Sequence, residues 1–335
     1  MGLTMGKRLL FFVFAGLVAG PMPALAWDAV GHRVSAMVAV EFLAPGVREE
    51  LVAVLRGHPR FREDFLDEVP GFIDTSDPHE FETWLLGQAA FWPDIARGLP
   101  RGERGRYHRG NWHYIDGAWV RGMATIQGNS YVGIRPFADV AGREAASIRS
   151  QRDVDNIVLG IDYNTRLLFD NGLEADAGER AIALCWVLHL VGDIHQPLHT
   201  GSLFSARLFD SGDAGGNGID TSEGNLHAVW DRAMRGRGVL AGVDAVLSWL
   251  ETVDRGEIES APLDWTLWLR ESRELLTTVA YPEAIKREIL AAERAGRAMR
   301  EIELSGDYLA EMRRISEQRL GLAALRMALL FNRNG

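Results

Sequence analysis

A single cysteine, Cys185, among 335 residues excludes an intramolecular disulfide and a structural zinc site built from thiolates. Cys185 lies in the apolar run 182–187 and reads as buried filler rather than a reactive thiol. Lysine is nearly missing, with only Lys7 and Lys286, and there is no cationic surplus: 46 Asp and Glu outnumber 36 Lys and Arg, for a formal net charge of -10. That balance argues against broad electrostatic attraction to nucleic acid. It leaves a phosphate substrate open, because tightly held cations invert a field locally. Alternating apolar and polar runs are scarce, which argues against a mainly β architecture. No apolar run after the N-terminus approaches the roughly 20 residues that span a bilayer.

The one early apolar run, Leu9 to Leu17, follows Lys7 and Arg8 and precedes the small-residue site Ala24-Leu25-Ala26. This pattern predicts a cleaved secretory signal over 1–26, a mature chain starting at Trp27 and two units more negative, and no membrane span after processing. Helical periodicity dominates the remainder. Val34, Met37, Val38 and Phe42 form one stripe; Val140, Ala141 and Ile148 suggest another; Val154, Ile157, Ile161, Leu167 and Leu168 continue the pattern. A helix is expected over 179–195, broken by Pro197, with others near 264–279, 282–303 and 306–331. Segments 57–82 and 201–224 are rich in Gly, Pro, Asp and Ser and read as loops. The expected fold is mainly α: one helical domain, 27–335, with long loops around one site.

Two stretches concentrate metal-ligand residue types: His189-Leu-Val-Gly-Asp193-Ile-His195-Gln-Pro-Leu-His199 and Asn225-Leu-His227-Ala-Val-Trp-Asp231. His189 and Asp193 are four apart, as are His227 and Asp231, so on helices each pair projects from one face and can close on an ion. Imidazole with carboxylate suits zinc, and mixed nitrogen and oxygen ligation that leaves room for water is the pattern of a catalytic site. Three other places offer ligands: Trp27 with His32, Asp94 in Phe91-Trp-Pro-Asp94-Ile-Ala-Arg97, and His113 in Asn111-Trp-His113-Tyr114-Ile-Asp116. An exposed α-amino group, with a pKa of about 7.7 to 8.0, yields its proton to a metal at modest cost, so cleavage before Trp27 would create a ligand. His195 is out of phase with His189 and reads as a supporting residue. His58, His79 and His108 read as surface or core histidines.

Together these motifs resemble the zinc-dependent single-strand-specific nucleases, a secreted family of fungi, plants and bacteria that shares its phospholipase C/nuclease-type fold with bacterial zinc phospholipases C. The resemblance covers nearly the whole mature chain and implies three zinc ions. By it, Asp94, His113 and His189 hold one; Asp193 bridges to a second, held by the amino nitrogen and carbonyl oxygen of Trp27 and by His32; His199, His227 and Asp231 hold the third. It further implies that Arg97 stabilises charge on the phosphoryl group, that Tyr114 stacks a base, that Asp116 reads a base edge, and that Gly215-Gly-Asn217 lies beside the nucleotide pocket.

The activity implied is hydrolysis of single-stranded DNA and RNA to 5'-phosphorylated products, with 3'-nucleotidase activity, by water activated between the two ions that share Asp193. Asp94, Asp193 and Arg97 are then the catalytic groups. Export would end in the periplasm or outside the cell, and no stable protein partner is implied. The chain departs from the family pattern in a longer 57–86 segment and in Pro93 before Asp94, both on the substrate side. A zinc phospholipase C and a non-catalytic zinc-binding protein are the alternatives. Tyr114 and Asp116 favour a nucleobase over a lipid head group, and Arg97 beside a full ligand set favours turnover.

Overall fold

The computed structural model describes residues 27–115, 128–136, 148–169 and 172–334. The expected leader, Asp116, Val140 and Ala141 lie outside them. In chain order, α1 (Ala29–Val40) and α2 (Val47–Leu55) lead through one π-helical turn (Arg62–Leu66) to α3 (Pro78–Gly98) and α4 (Arg101–Tyr107). A 3-10 turn at Gly110–His113 and strand β1 (Ser130–Val132) precede α5 (Ile157–Leu168) and α6 (Ala177–Asp193). After a further 3-10 turn, Pro197–His199, come β2 (Leu203–Ser205), β3 (Asp220–Thr221), β4 (Gly224–Asn225) and α7 (Leu226–Asp231). The chain finishes with α8 (Val239–Leu250), α9 (Gly256–Ser260), α10 (Trp265–Leu275), α11 (Glu283–Ala295) and α12 (Gly306–Asn332). Strands are marginal: β1 pairs in parallel with β2, Ser130 opposite Leu203, and β3 with β4 forms a two-residue antiparallel ladder.

Helix α6 is the inner element. Asp176 and Glu179 form a reciprocal capping box at its start, each side chain accepting the other's backbone N–H at 2.8 and 3.0 Å. From Ala183 to Asp193 every residue is buried, the signature of a helix enclosed on all sides rather than amphipathic. It packs against α1, α2, α3, α5 and α12. At about 1.5–3 kcal/mol for each large aliphatic side chain taken from water, Leu184, Val187, Leu188, Leu190 and Val191 help offset the cost of enclosing His189 and Asp193 on the same helix.

Helix α3 starts on Asp77, whose carboxylate accepts from His79 N and Glu80 N, with Pro78 in the first turn where its missing N–H costs nothing. Pro93 sits in the interior of α3 and offers no N–H to the Ala89 carbonyl. The long α12 is tied back to the start of the domain by Asn332, which donates to Phe42 O and accepts from Ala44 N.

Two expectations need correction. The segment 57–82 is not all loop, because Arg62–Leu66 forms a π turn and α3 begins at Pro78. The helix expected over 282–303 stops at Ala295, where Gly296 takes the left-handed conformation (φ 63°) that ends helices cheaply.

Behind the C-terminal end of α6 lies a buried ionic network. Arg326 donates to His195 Nε2 at 2.7 Å and to both oxygens of Glu271, while Arg319 donates to the His195 carbonyl at 3.2 Å and to Glu271 at 2.9 Å. The backbone around 194–196 is thereby fixed to α10 and α12.

Close approach of α12 to α8 depends on Gly321, where an added Cβ would lie 2.4 Å from the Trp249 ring. Helix propensity would favour Gly321→Ala by about 1 kcal/mol, but overpacking of this kind costs about 1–3 kcal/mol. The substitution should therefore lower the midpoint of urea unfolding, and a raised midpoint would contradict the packing described.

Candidate metal centre

The first described residues are pinned at the floor of the site. Trp27 is fully buried and its indole N–H donates to Gly192 O at 3.0 Å, while Asp28 N donates to Asp231 O. The Asp28 side chain caps α1 through Val30 N and Gly31 N and takes Arg235 Nε at 2.8 Å. Helix α1 then carries His32 inward, where its ring stacks on His189 with centroids 3.8 Å apart. A side chain at 192 would crowd the His32 ring, so Gly192 makes room for it.

Three buried groups of ligand-type atoms result: His32, His189 and Asp193; Asp94, His113 and His189; His199, His227 and Asp231. Within each, one atom per residue lies within 4.8 Å of the others. Asp193 stands between the groups. Its Oδ2 is 3.1 Å from His189 Nε2 and 3.2 Å from His113 Nδ1; its Oδ1 is 3.4 Å from His32 Nε2 and 3.8 Å from His199 Nδ1. In the third group Asp231 Oδ2 is 3.4 Å from His227 Nε2, and Oδ1 is 3.7 Å from His199 Nε2.

Chemistry at these distances calls for cations. His227 Nδ1 and His199 Nδ1 each face a carbonyl oxygen, that of Gly215 and that of His113, at 2.6 Å, so both protons sit on Nδ1. Their Nε2 lone pairs therefore point at one another across 3.1 Å. His189 repeats the arrangement, with Nδ1 on Ala90 O at 2.7 Å and Nε2 at 2.8 Å from His113 Nδ1. Both nitrogens of His32, Nε2 of His113, both oxygens of Asp94, Oδ1 of Asp193 and Oδ2 of Asp231 are buried without a hydrogen-bond partner. Leaving so many polar atoms unsatisfied would cost several kcal/mol. Tetrahedral zinc with bonds of about 2.0–2.1 Å sets its ligand atoms about 3.3 Å apart, close to the spacings found here. The donor set and its geometry fit zinc.

Burial decides the protonation of these groups when no cation is present. It pushes Asp193 up to about 7 and Asp94 up to about 6, and Asp231 well above the usual carboxylate range. It also lowers the imidazoles, His189 to about 4 and His32 and His113 well below their ordinary value. Arg97 contributes to the depression at His32, His113, His189 and His199. Its Nη2 lies 3.1 Å from Asp94 Oδ1, one helical turn along α3.

The remaining candidates lie around this centre. Tyr114, next to His113, is 43% exposed. Asn217 is half-buried and donates to Ala214 O, two residues from the Gly215 carbonyl that holds His227. His195 points away from the groups, donating from Nδ1 to Val191 O and accepting Arg326 at Nε2. Of the histidines set aside, His58 is buried edge-on to Trp92, and His108 lies with its ring 6.1 Å from that of His113.

Sequence reasoning passed over Gln196 and Asp213. Asp213 is buried; its Oδ1 accepts from Leu203 N and the Tyr281 hydroxyl, and its Oδ2 from Gly216 N, which organises the loop that presents Gly215 O. An Asp ahead of paired glycines is the signal that was available. Ala214, Gly215 and Gly216 all have positive φ there, at 55°, 61° and 88°.

Residues 27–334 match the S1/P1 Nuclease family, and the chain belongs to it. Its helical architecture accords with that membership. Nuclease S1 of Aspergillus oryzae is 29% identical over 213 residues, 62% of this chain and 54% of that protein. Endonuclease 4 of Arabidopsis thaliana is 33% identical over 158 residues, 45% of this chain and 50% of that protein. Endonuclease 1 of the same plant is 48% identical over a 54-residue stretch, 15% of each chain. The matched stretches span about half the length of the first two relatives.

Gly215→Ala would add strain at φ 61° and place a Cβ 2.3 Å from the Leu198 carbonyl oxygen. Together these should destabilise the protein by about 2–4 kcal/mol, read from denaturant unfolding. Zinc uptake at pH 6 should also release protons. His32, His113, His189 and His199 are already neutral there, so the buried carboxyls of Asp193, Asp94 and Asp231 release protons, and affinity should weaken as pH falls through 7 and 6. Calorimetry in two buffers of different ionisation enthalpy measures the release; equal heats in both would rule it out.

Proposed function

We propose that the protein is an exported zinc-dependent endonuclease that hydrolyses single-stranded DNA and RNA to 5'-phosphorylated products and also removes 3' phosphates from nucleotides. The observation that carries the reading is Asp193, buried among three groups of ligand-type atoms, several of which, including both nitrogens of His32 and Nε2 of His113, lack hydrogen-bond partners. We assign three ions. His113, His189 and Asp94 would hold one, His32 with the terminal amine and carbonyl of a processed Trp27 the second, His199, His227 and Asp231 the third, and Asp193 would span the first two.

When bound, zinc supplies Lewis acidity that lowers the pKa of water toward about 7 and neutralises phosphoryl charge. The chain does the positioning. The carbonyls of Ala90, His113 and Gly215 fix the imidazole tautomers, so every Nε2 lone pair they control faces the centre. Arg97, held by Asp94 at the edge of the cluster, is placed to stabilise negative charge on a phosphodiester in the transition state.

Tyr114 is half exposed beside His113, so a base stacked on it would bring its phosphate toward the same centre. Stacking contributes roughly 1–3 kcal/mol per base, tolerates any base, and needs an unpaired nucleotide, which accounts for a single-strand preference. Asp116 and Asn217 complete the proposed nucleotide contacts. The overall acidity of the chain accords with a site whose positive charge comes from bound ions and Arg97 rather than a basic surface. Among the described residues no helix is long and apolar enough to cross a membrane.

Arg97→Ala should lower kcat/KM on single-stranded DNA by about 100- to 1000-fold while leaving zinc content unchanged. Loss of zinc in that variant would contradict the role assigned to Arg97. Removal of metal by a chelator should abolish nucleotide release and re-addition of zinc restore it. Hydrolysis of phosphatidylcholine vesicles with intact DNA would favour the lipase reading, and intact DNA with fully zinc-loaded protein would favour a binding protein.

A further inference from the structure

The third ligand group is shaped by a residue with no ionisable group. Gln196 is fully buried between Asp193 and His199 in the chain, and its carboxamide reaches in two directions. Nε2 donates to Asp231 Oδ1 at 2.8 Å, and Oε1 accepts the Leu198 N–H at 2.6 Å. The first contact holds the end of α7. The second caps the Pro197–His199 turn. One side chain thus joins the segment that carries His199 to the helix that carries His227 and Asp231.

Resting on the metal reading above, the geometry assigns Gln196 as the positioning residue of the third group, selecting which oxygen of Asp231 faces the ion. By donating to Oδ1 it leaves Oδ2 bare: that atom is buried, has no hydrogen-bond partner and lies 3.4 Å from His227 Nε2. A freely rotating carboxylate would present either oxygen and lose entropy on binding; a tethered one presents a single oxygen.

The chemistry is specific to an amide, because the position needs a donor and an acceptor at once. Glutamate lacks the donor, and methionine, of the same length, lacks it too and offers only a weak thioether acceptor. The backbone beneath Gln196 is held independently, with Ser272 Oγ donating to Ile194 O at 2.6 Å and Arg319 to His195 O at 3.2 Å. Changing the side chain at 196 therefore leaves its anchor points in place.

The test is Gln196→Met in the full-length exported protein. It compares zinc content at a fixed free-zinc level, chelator-competition titrations, and the visible spectrum of cobalt-substituted protein with wild type. One ion should bind about 10- to 100-fold more weakly, the usual cost of removing a residue that orients a ligand, with the others unaffected and one set of cobalt bands shifted. Ser305→Ala, which removes the distant cap of α12, serves as the control for general destabilisation and should keep all its zinc. A folded Gln196→Met protein with wild-type zinc affinities and cobalt spectrum overturns the assignment, since a space-filling role is met by methionine. Should that variant not fold, Gln196→Asn keeps the amide one methylene too short to reach, and the same two outcomes decide. Wild type that takes up no zinc overturns the metal reading and this assignment with it, whereas normal uptake with an unchanged variant overturns the assignment alone.

Discussion

The structure depends on placing one carboxylate, Asp193, in a fully enclosed space crowded with imidazoles. Each of its oxygens lies within 3.1–3.8 Å of two different histidine rings, and among the described residues no arginine or lysine is paired with it. An enclosed acid is normally neutralised by protonation or by a basic partner. Here the rings around it are themselves held neutral by burial. The arrangement is a set of electron-pair donors with too few protons to satisfy it, the condition that divalent cations relieve.

The surrounding fold is organised to maintain that deficit. Three backbone carbonyls, from α3, the 110–113 turn and the glycine loop, claim the Nδ1 protons of His189, His199 and His227. Pro93 belongs to the same logic, since it interrupts the hydrogen-bond ladder of α3 in the turn that supplies both Ala90 O and Asp94. The apolar faces of α6 carry the energetic burden, because His189 and Asp193 ride on a helix whose neighbours are nearly all aliphatic or aromatic.

Much of this was legible in the sequence where one chemical rule dominates. The i, i+4 pairs His189/Asp193 and His227/Asp231 announce ligand faces, and both pairs do lie on helices. The apolar periodicity of α5, α6 and α12 gives the helical class. Less legible were elements set by tertiary context. Glycine and aspartate in 57–82 look like loop formers, yet Asp77 and Pro78 there are a helix start, and Gly296 ends α11 eight residues before the apolar pattern fades.

Gln196 and Asp213 were harder to single out for another reason: neither carries the chemistry, and each ties a local turn to an atom distant in the chain, Asp231 for Gln196 and the Tyr281 hydroxyl for Asp213. Grouping of His32 with His189 likewise appears only in three dimensions, since 157 positions separate them. The family resemblance put them on neighbouring ions that share Asp193. Spacing alone did not.

The ionic wall of Glu271, Arg319 and Arg326 has a consequence for the order in which the molecule is made. All the ligand-type residues lie at or before Asp231, while the side chains that brace residues 194–196 belong to the last third of the polypeptide. A growing chain therefore displays every imidazole before it possesses the buttress that aligns them. Any metal met during elongation would find donors not yet braced by those side chains, so aligned binding would follow the docking of the final helix.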